Sequence, residues 1–443
     1  MTTRYTADAF ARLAARASEP AWLTERREEA LARFDALAWP TGQEEDWRHT
    51  DLRPLDIDAF DPVPAQHEPV AVLDAVPSAI KQAAIGRRGD RDGLAIQVDA
   101  DVVHSRLRPA LEEKGVVFAP LSQAAGSHPD LVQEALGRAG VSESDEKIAA
   151  LTHAFFSGGT FLYVPRGVAL ELPVQSVRWI TRAGLAVFPR VVIVADEGAE
   201  VTYIDHYGSA DLAGPVLAAA GVEIYAQQGA RVSYFALQDW AQTAWHFNVQ
   251  RALIGRDATV RSLAATFGAK VSRSRVDCLL DGQGATSEML GLYFGDHDQH
   301  IDNRSLQDHR APYTTSDLYY KGALKGTSRS VYSGLVHIGK GAQKSDAQQA
   351  NRNLLLSEGS TADPKPFLEI EANDVRCTHG VSVGRPDREV LFYMQSRGLD
   401  ADEAERVFVK GFFQEVIDRV HVPETRATLE EAIEEELALE DVS

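Results

Sequence analysis

Gln228-Gly229-Ala230-Arg231-Val232 is a short turn that this chain writes again and again. Versions of it stand at Glu197-Gly198-Ala199-Glu200-Val201, Arg256-Asp257-Ala258-Thr259-Val260, Gln283-Gly284-Ala285-Thr286-Ser287, Lys325-Gly326-Thr327-Ser328-Arg329 and Lys340-Gly341-Ala342-Gln343-Lys344. Their small residues are separated by 31, 28, 27, 42 and 15 positions, close to multiples of about 14 or 15, as expected when successive turns stack on one another. Between the turns the apolar pattern has period two, as in Gly158-Gly159-Thr160-Phe161-Leu162-Tyr163-Val164-Pro165-Arg166-Gly167-Val168. Ten-residue stretches of helical period are missing there, so a mainly β fold, a parallel β-helix over residues 157–383, is expected rather than a helical repeat. Each coil of such a stack lies ~4.8 Å above the last and pairs its backbone upward and downward, which leaves open strand edges at the ends.

The flanks read differently. Residues 1–156 form a helical N-terminal portion with a linker: apolar residues recur at helical spacing from 7 to 38, with Glu25, Arg26, Arg27, Glu28 and Glu29 as a solvated face. The polar segment 42–55 carries Trp47, expected to anchor that loop on the core, and the prolines at 62, 64, 69 and 77 mark a linker. Further helices are expected over 121–139 and 142–156. Residues 384–443 form a helical C-terminal domain that follows the strands as their cover: Asp387 caps one helix, Asp400-Ala401-Asp402-Glu403 opens a second, and a glutamate-rich helix follows Pro423. The second carries Val407, Phe408, Val409, Phe412, Phe413, Val416 and Ile417, a stripe that reads either as core packing or as a docking face for another protein.

Composition narrows the function. Lysine plus arginine number 45 against 65 aspartate plus glutamate, a formal charge of -20, which argues against nonspecific binding to nucleic acid or to an anionic membrane. The first residues hold no apolar stretch and no run of ~18 apolar residues occurs, so a cytosolic protein is expected. Two cysteines, Cys278 and Cys377, make no disulfide framework.

The chemistry concentrates in Glu369-Ile370-Glu371-Ala372-Asn373-Asp374-Val375-Arg376-Cys377-Thr378-His379-Gly380. In a strand, residues two apart share a face, so Cys377 and His379 present a thiol and an imidazole together, half of a metal or cluster site. Arg376 is expected to lower the thiol pKa. Two ligands do not complete a tetrahedral site, so a real one must be shared across an interface; the alternative is a structural cysteine beside a hydrogen-bonded histidine. Cys278, among leucines, reads as a buried small hydrophobe. Gly339-Lys340-Gly341-Ala342-Gln343-Lys344-Ser345 fails as a phosphate loop because Gln343 stands where glycine is required. Asp296-His297-Asp298-Gln299-His300 has metal-ligand residue types in what reads mainly as a solvated turn, and His300, Asp302, Asn303 and Arg304 suit a polar ladder between coils. Two rival readings remain from these residues alone: a polysaccharide lyase or hydrolase, since such enzymes are often β-helices, and a structural homodimer paired through its edge strands.

The motifs Phe155-Phe156-Ser157-Gly158-Gly159-Thr160, Phe294-Gly295-Asp296 with His300-Ile301-Asp302-Asn303, Ser333-Gly334-Leu335-Val336, Gln348-Gln349-Ala350-Asn351-Arg352-Asn353, Cys377-Thr378-His379-Gly380 and Leu391-Phe392-Tyr393-Met394-Gln395-Ser396-Arg397-Gly398 together resemble the SufB/SufD family, from about residue 150 to 420. The N-terminal Glu45-Asp46-Trp47-Arg48-His49-Thr50-Asp51-Leu52-Arg53 is similar to the SufD branch, with His49 where an aromatic residue is expected. The resemblance implies a right-handed parallel β-helix that serves as a noncatalytic scaffold in a SufB-SufC-SufD complex assembling iron–sulfur clusters. It implies pairing with SufB through the β-helix end, a nascent cluster held there transiently by His379 first and Cys377 second, and no cofactor in the isolated chain, for which a homodimer stays open as an alternative. It further implies docking of the SufC ATPase on the C-terminal helices, with Phe392, Phe408, Phe412 and Phe413 as the contact residues. The glutamates that SufB carries beside the corresponding histidine are replaced here by Cys377, Thr378 and Gly380.

Overall fold

The computed structural model describes residues 4–17, 19–70, 77, 78, 80, 91–138 and 147–438. Its strands are β1 (Gly93–Val98), β2 (Asp101–Leu107), β3 (Val117–Pro120), β4 (Thr160–Val164), β5 (Val174–Ile180), β6 (Ala186–Val187), β7 (Arg190–Ala195), β8 (Glu200–Ser209), β9 (Val216–Ala226), β10 (Arg231–Asp239), β11 (Ala244–Ile254), β12 (Thr259–Thr266), β13 (Val271–Leu280), β14 (Thr286–Gly295), β15 (His300–His309), β16 (Thr315–Leu324), β17 (Arg329–Ile338), β18 (Asp346–Leu355), β19 (Thr361–Ile370) and β20 (Arg376–Gly384). They alternate between two facing sheets. One runs β2-β1-β5-β8-β10-β12-β14-β16-β18-β20, the other β3-β4-β7-β9-β11-β13-β15-β17-β19, with β6 beside β9. From β4 and β5 onward neighbours pair in parallel, residue for residue, so the fold is the expected parallel β-helix with two faces per coil.

The turns explain the spacing. Gly198, Gly229, Asp257, Gly284, Tyr313 and Lys344 form one column, all at positive φ, and each donates its N–H to the next turn, for example Gly229 to Arg256 O at 2.8 Å and Tyr313 to Gln343 O at 2.9 Å. The turn at 325–329 lies on the opposite corner, where Thr327 N–H meets His297 O at 2.7 Å. The six similar turns are therefore not one stack: five share a corner, and the period of about 14 or 15 is half a coil.

The interior is apolar at its margins, with Val222, Ile224, Val260, Val276 and Leu280 in one buried cluster, and polar along its middle. There Arg178 pairs with Asp205 at 3.0 Å, and Tyr293 donates to Asn353 at 2.5 Å. Buried polar groups survive in such a core only when they are bonded in this way.

Residues before Ser157 contribute more than helices. β1 is buried throughout and pairs in parallel with β5, while β2 and β3 pair antiparallel with β1 and β4 and so close that end of the stack. No strand was expected there, because 93–120 lacks the glycine-marked turn. Helices α1 (Ala7–Arg16), α2 (Ala21–Ala36), α3 (Pro109–Glu112), α4 (Leu121–Ser127), α5 (Pro129–Arg138) and α6 (Lys147–Phe155) complete this portion; the expected helical residues 139 and 142–146 and the linker residues 71–76 and 79 lie outside the described residues. Arg27, expected on a solvated face, is buried: it donates to Ala154 O at 2.9 Å and Phe156 O at 3.0 Å, ion-pairs with Glu19 and lies 4.1 Å from the Phe156 ring.

After β20 come α7 (Arg388–Ser396), α8 (Ala401–Ile417) and α9 (Pro423–Ala438). Asp387 caps α7, and Asp400 with Glu403 forms a capping box on α8. These helices do not cover the end of the stack. Val409, Phe413, Val416, Ile417, Leu429 and Ile433 pack on the outer face of the first sheet, against Phe235, Leu263, Leu292 and Phe294.

Gly159 tests the close approach of coils. At φ 93° its missing Cβ would lie 2.1 Å from Arg190 O, whereas Gly198, at φ 67°, faces open space. Gly159→Ala is expected to destabilise the fold by about 3 kcal/mol or more and Gly198→Ala by only about 1 kcal/mol, a difference that thermal melts of the two variants measure directly.

Candidate functional site

The last coil is built like those beneath it, but among the described residues no strand pairs with its far side. β20 lies in register on β18, Cys377 above Ala347, His379 above Gln349, Val381 above Asn351 and Val383 above Asn353. On β18 those four partners are all buried and alternate with exposed or half-buried residues, so Cys377, His379, Val381 and Val383 point along the interior of the stack at its open end. The shared face read from the sequence is present. The burial that an interior position normally has is absent: His379 is exposed and Cys377 half-buried. Opposite them, on β17 and β19, the interior column ends in Pro364, Pro366, Leu368 and Ile370.

Cys377 rests on the apolar group of Val336, Ile338, Ala342, Ala347 and Ala372. Burial, and then the charge of Asp346, push its thiol pKa up. This corrects the expectation for Arg376, whose side chain is exposed on the other face of the strand. Cys278 is fully buried between coils, its thiol pushed up to about 12 by burial, and is a core residue.

Among the described residues no group of three or more His, Cys, Asp and Glu side chains is arranged to hold a metal ion. In the turn 296–300, His297 pairs with Asp296 at 3.1 Å, and Gln299 is buried with its amide on Phe267 O and Ala269 O. His300 and Asp302 do form a polar ladder. Asp302 accepts from Thr50 at 2.6 Å and pairs with Arg273; burial opposes its carboxylate, but Arg273 and Arg304 offset that and its pKa is lowered. Burial draws the His300 imidazole down to about 4.

The partner in this ladder is the N-terminal loop, whose role beyond Trp47 the sequence did not disclose. Trp47 is buried with the Arg273 guanidinium 3.8 Å from its ring; Asp46 pairs with Arg304 at 2.7 Å; His49 contacts Lys365 and lies 3.5 Å from Asp363. Residues 46–50 thus cross the outer face of β13, β15, β17 and β19, and reach the terminal coil. Burial, then the neighbouring Lys365, lower the His49 pKa in spite of Asp363.

The C-terminal helices present a second surface. Phe392 is 72% exposed and Tyr393 58%, on a helix none of whose residues is buried, and Val407 of α8 is exposed as well. Phe408 and Phe412 are half-buried against the sheet-packed cluster. Phe413 has no exposure at all, so its burial takes it out of any docking surface and into the core. Polar contacts fix α8 to the strands: Lys321 Nζ donates to Phe412 O at 2.6 Å and pairs with Glu415 at 2.7 Å, and Arg419 pairs with Glu288 at 2.8 Å and with Asp317. No helix among the described residues is long and apolar enough to cross a membrane.

Comparison with known proteins agrees along most of the length. Residues 178–412 match the family described as SUF system FeS cluster assembly, SufBD core domain, and residues 92–176 match the SufBD protein N-terminal region. An iron–sulfur cluster assembly SufBD family protein of Mycobacterium leprae is 32% identical over 91% of this chain and 92% of its own. One from Staphylococcus epidermidis is 30% identical over 89% of this chain and 85% of its own. Nothing in these matches supports a polysaccharide lyase.

The raised thiol pKa has a direct consequence. In the isolated chain Cys377 is expected to react with iodoacetamide more slowly than an ordinary thiol near pH 7, to accelerate as pH rises, and to react faster in Asp346→Asn, while Cys278 stays unlabelled until the protein unfolds. Mass spectrometry of the intact protein reads all three; a Cys377 that labels faster than a free thiol would contradict the assignment.

Proposed function

The chain belongs to the SufBD family of iron–sulfur cluster assembly proteins, and on that premise we propose that it is a noncatalytic, cytoplasmic scaffold subunit of the SufD kind. It pairs with SufB through the open end of its β-helix, binds the SufC ATPase through its C-terminal helices, and takes part with SufB in holding a nascent cluster. The observation that carries this reading is the side-by-side placement of Cys377 and His379 on the interior face of an uncovered coil. An imidazole nitrogen and a thiolate sulfur are both iron ligands, and two of them fall short of the four that a tetrahedral iron needs. The missing donors would come from the chain that covers this end, so the cluster is a cargo of the pair, and SUF assembly proceeds at their junction.

Of the two donors His379 stands first. It is exposed, and a neutral imidazole binds iron without giving up a proton, whereas burial and Asp346 make the Cys377 thiolate harder to form. The ATPase would meet α7 and α8 at Phe392, with Phe408 and Phe412 beneath it and Phe413 as their support. Since α8 is bound to β16 through Lys321 and the turn after it to β14 and β16 through Arg419, and β16 pairs with β18 and β18 with β20, motion at that surface passes to the terminal coil as a rigid displacement.

In cells co-expressing SufB and SufC, His379→Ala is expected to lower the reconstituted cluster yield by roughly tenfold or more with the complex still assembled, since even outer-shell changes around metal ligands cost about tenfold. An unchanged yield would remove His379 from the site. At the other surface, Phe392→Asp is expected to weaken SufC binding about 30-fold at unaltered melting temperature, whereas Phe413→Ala should cost about 3–5 kcal/mol of stability. Calorimetric titration with SufC and a thermal melt separate the two effects.

A further inference from the structure

The two free edges of the terminal coil look alike in outline and differ in what they offer a strand. In a parallel ladder the N–H and C=O of one residue face the same neighbour, and successive residues alternate sides. Thr361 donates to Ser328 O at 3.0 Å and Glu371 to Ile338 O at 2.9 Å, which assigns the odd-numbered residues of β19 to β17. The even-numbered ones, Ala362, Pro364, Pro366, Leu368 and Ile370, face the free edge. On β20 the same parity is set by Arg376, which donates to Ser345 O at 2.9 Å. Cys377, His379, Val381 and Val383 therefore face outward, and each carries an N–H.

Proline has no N–H to give, so Pro364 and Pro366 remove the middle donors of the β19 edge. Both fall on the parity at which no bond to β17 is lost; one residue either way, each would have broken the internal ladder. β20 has no such gap along its edge, and its exposed Val381 and Val383 lie at the same level. We propose that this end is one-sided: an extended strand of the partner adds to β20 and accepts from the N–H groups of residues 377, 379, 381 and 383, while Pro364 and Pro366 keep the sheet of β19 from being continued in the same way by the partner or by another copy of this chain. Where β19 of one copy meets β19 of another, the prolines count on both strands, so the edge favours a different protein over self-pairing. A strand seated on β20 lies directly beside Cys377 and His379, which is where the missing ligands are needed.

This inference rests on the proposed pairing with SufB, and its test separates the two. Val381→Pro removes one outward N–H and no internal bond, and Val381→Ala keeps both. With SufB, Val381→Pro is expected to lose about tenfold or more in affinity and Val381→Ala to stay within about twofold. Hydrogen exchange needs no substitution: the amides of 377, 379, 381 and 383 should exchange freely in the isolated chain and slow at least tenfold on pairing, while those of 378, 380 and 382 stay protected throughout. Equal binding by Val381→Pro, or outward amides that remain unprotected in the complex, overturns the assignment. A wild-type chain that does not pair with SufB overturns the proposed function instead, and the edge is then decided on the chain alone. Pro364→Val with Pro366→Val should raise self-association in sedimentation velocity, and no change would refute the role of the prolines. A wild-type dimer that Val381→Pro dissociates puts a second copy on β20 and rejects the heterologous partner.

Discussion

A strand inside a parallel solenoid satisfies its backbone only when a coil lies on either side of it, and this one requirement organises the molecule. Each strand from β7 to β18 finds its N–H and C=O partners in the coil before and the coil after, in unbroken register. At one end the requirement is met internally, because β2 and β3 turn back antiparallel, the N-terminal helices pack over β3 and Val70 N–H donates to Val103 O of β2. At the other it is not met among the described residues: β20 keeps a full row of N–H and C=O groups outward and β19 a row broken by Pro364 and Pro366, above interior side chains that no further coil buries. An unsatisfied edge of that length is a liability in a solitary protein and an asset in a subunit. The same geometry exposes Cys377 and His379, which in any earlier coil would be core residues.

The helical portions sit on opposite outer faces, and each is held by cations that reach backbone carbonyls. Arg27 ties α2 to the end of α6, and Lys321 ties β16 to α8. Both are nearly inaccessible to water, Arg27 at 2% and Lys321 at 2%. A buried cation with its donors filled is expensive to displace, so these contacts fix where a helix lies and not merely that it lies somewhere on the sheet. The solenoid is consequently clasped from both sides, while its terminal coil carries neither set of helices.

Much of this was legible in the sequence, and the failures have physical causes. The column of turns was visible because a left-handed corner demands glycine, or a residue that tolerates positive φ, at a fixed place in every coil; Tyr313 and Lys344 occupy that corner with no such signature. The strands of 93–120 escaped because they enter the stack antiparallel or without the repeating turn, so periodicity had nothing to register. Arg27 was misread because charge alone says nothing about partners: its carbonyl acceptors lie 127 and 129 positions away. The pairing of Cys377 with His379 needed only the period of a strand and was readable; the rise in the thiol pKa was not, since it comes from the half-burial of Cys377 and from Asp346 on the neighbouring strand. For the same reason Phe413 could not be told from Phe408 and Phe412 by spacing alone. All three lie on one stripe, and only contact with the sheet decides which of them is left for a partner.

The placement of the prolines carries the constraint of the first coil through to the last. Along β19 a proline is tolerable at every second position and ruinous at the others, and Pro364 and Pro366 both take the tolerable parity. Along β20 the outward positions hold Cys377, His379, Val381 and Val383, so the candidate iron ligands and the intact donors are the same residues. Coupling them in this way ties recognition to chemistry: a strand that satisfies the outward N–H groups of Cys377 and His379 is necessarily close enough to bring its own side chains beside their sulfur and imidazole. On the proposed pairing, closing the edge and completing the ligand set are therefore one event.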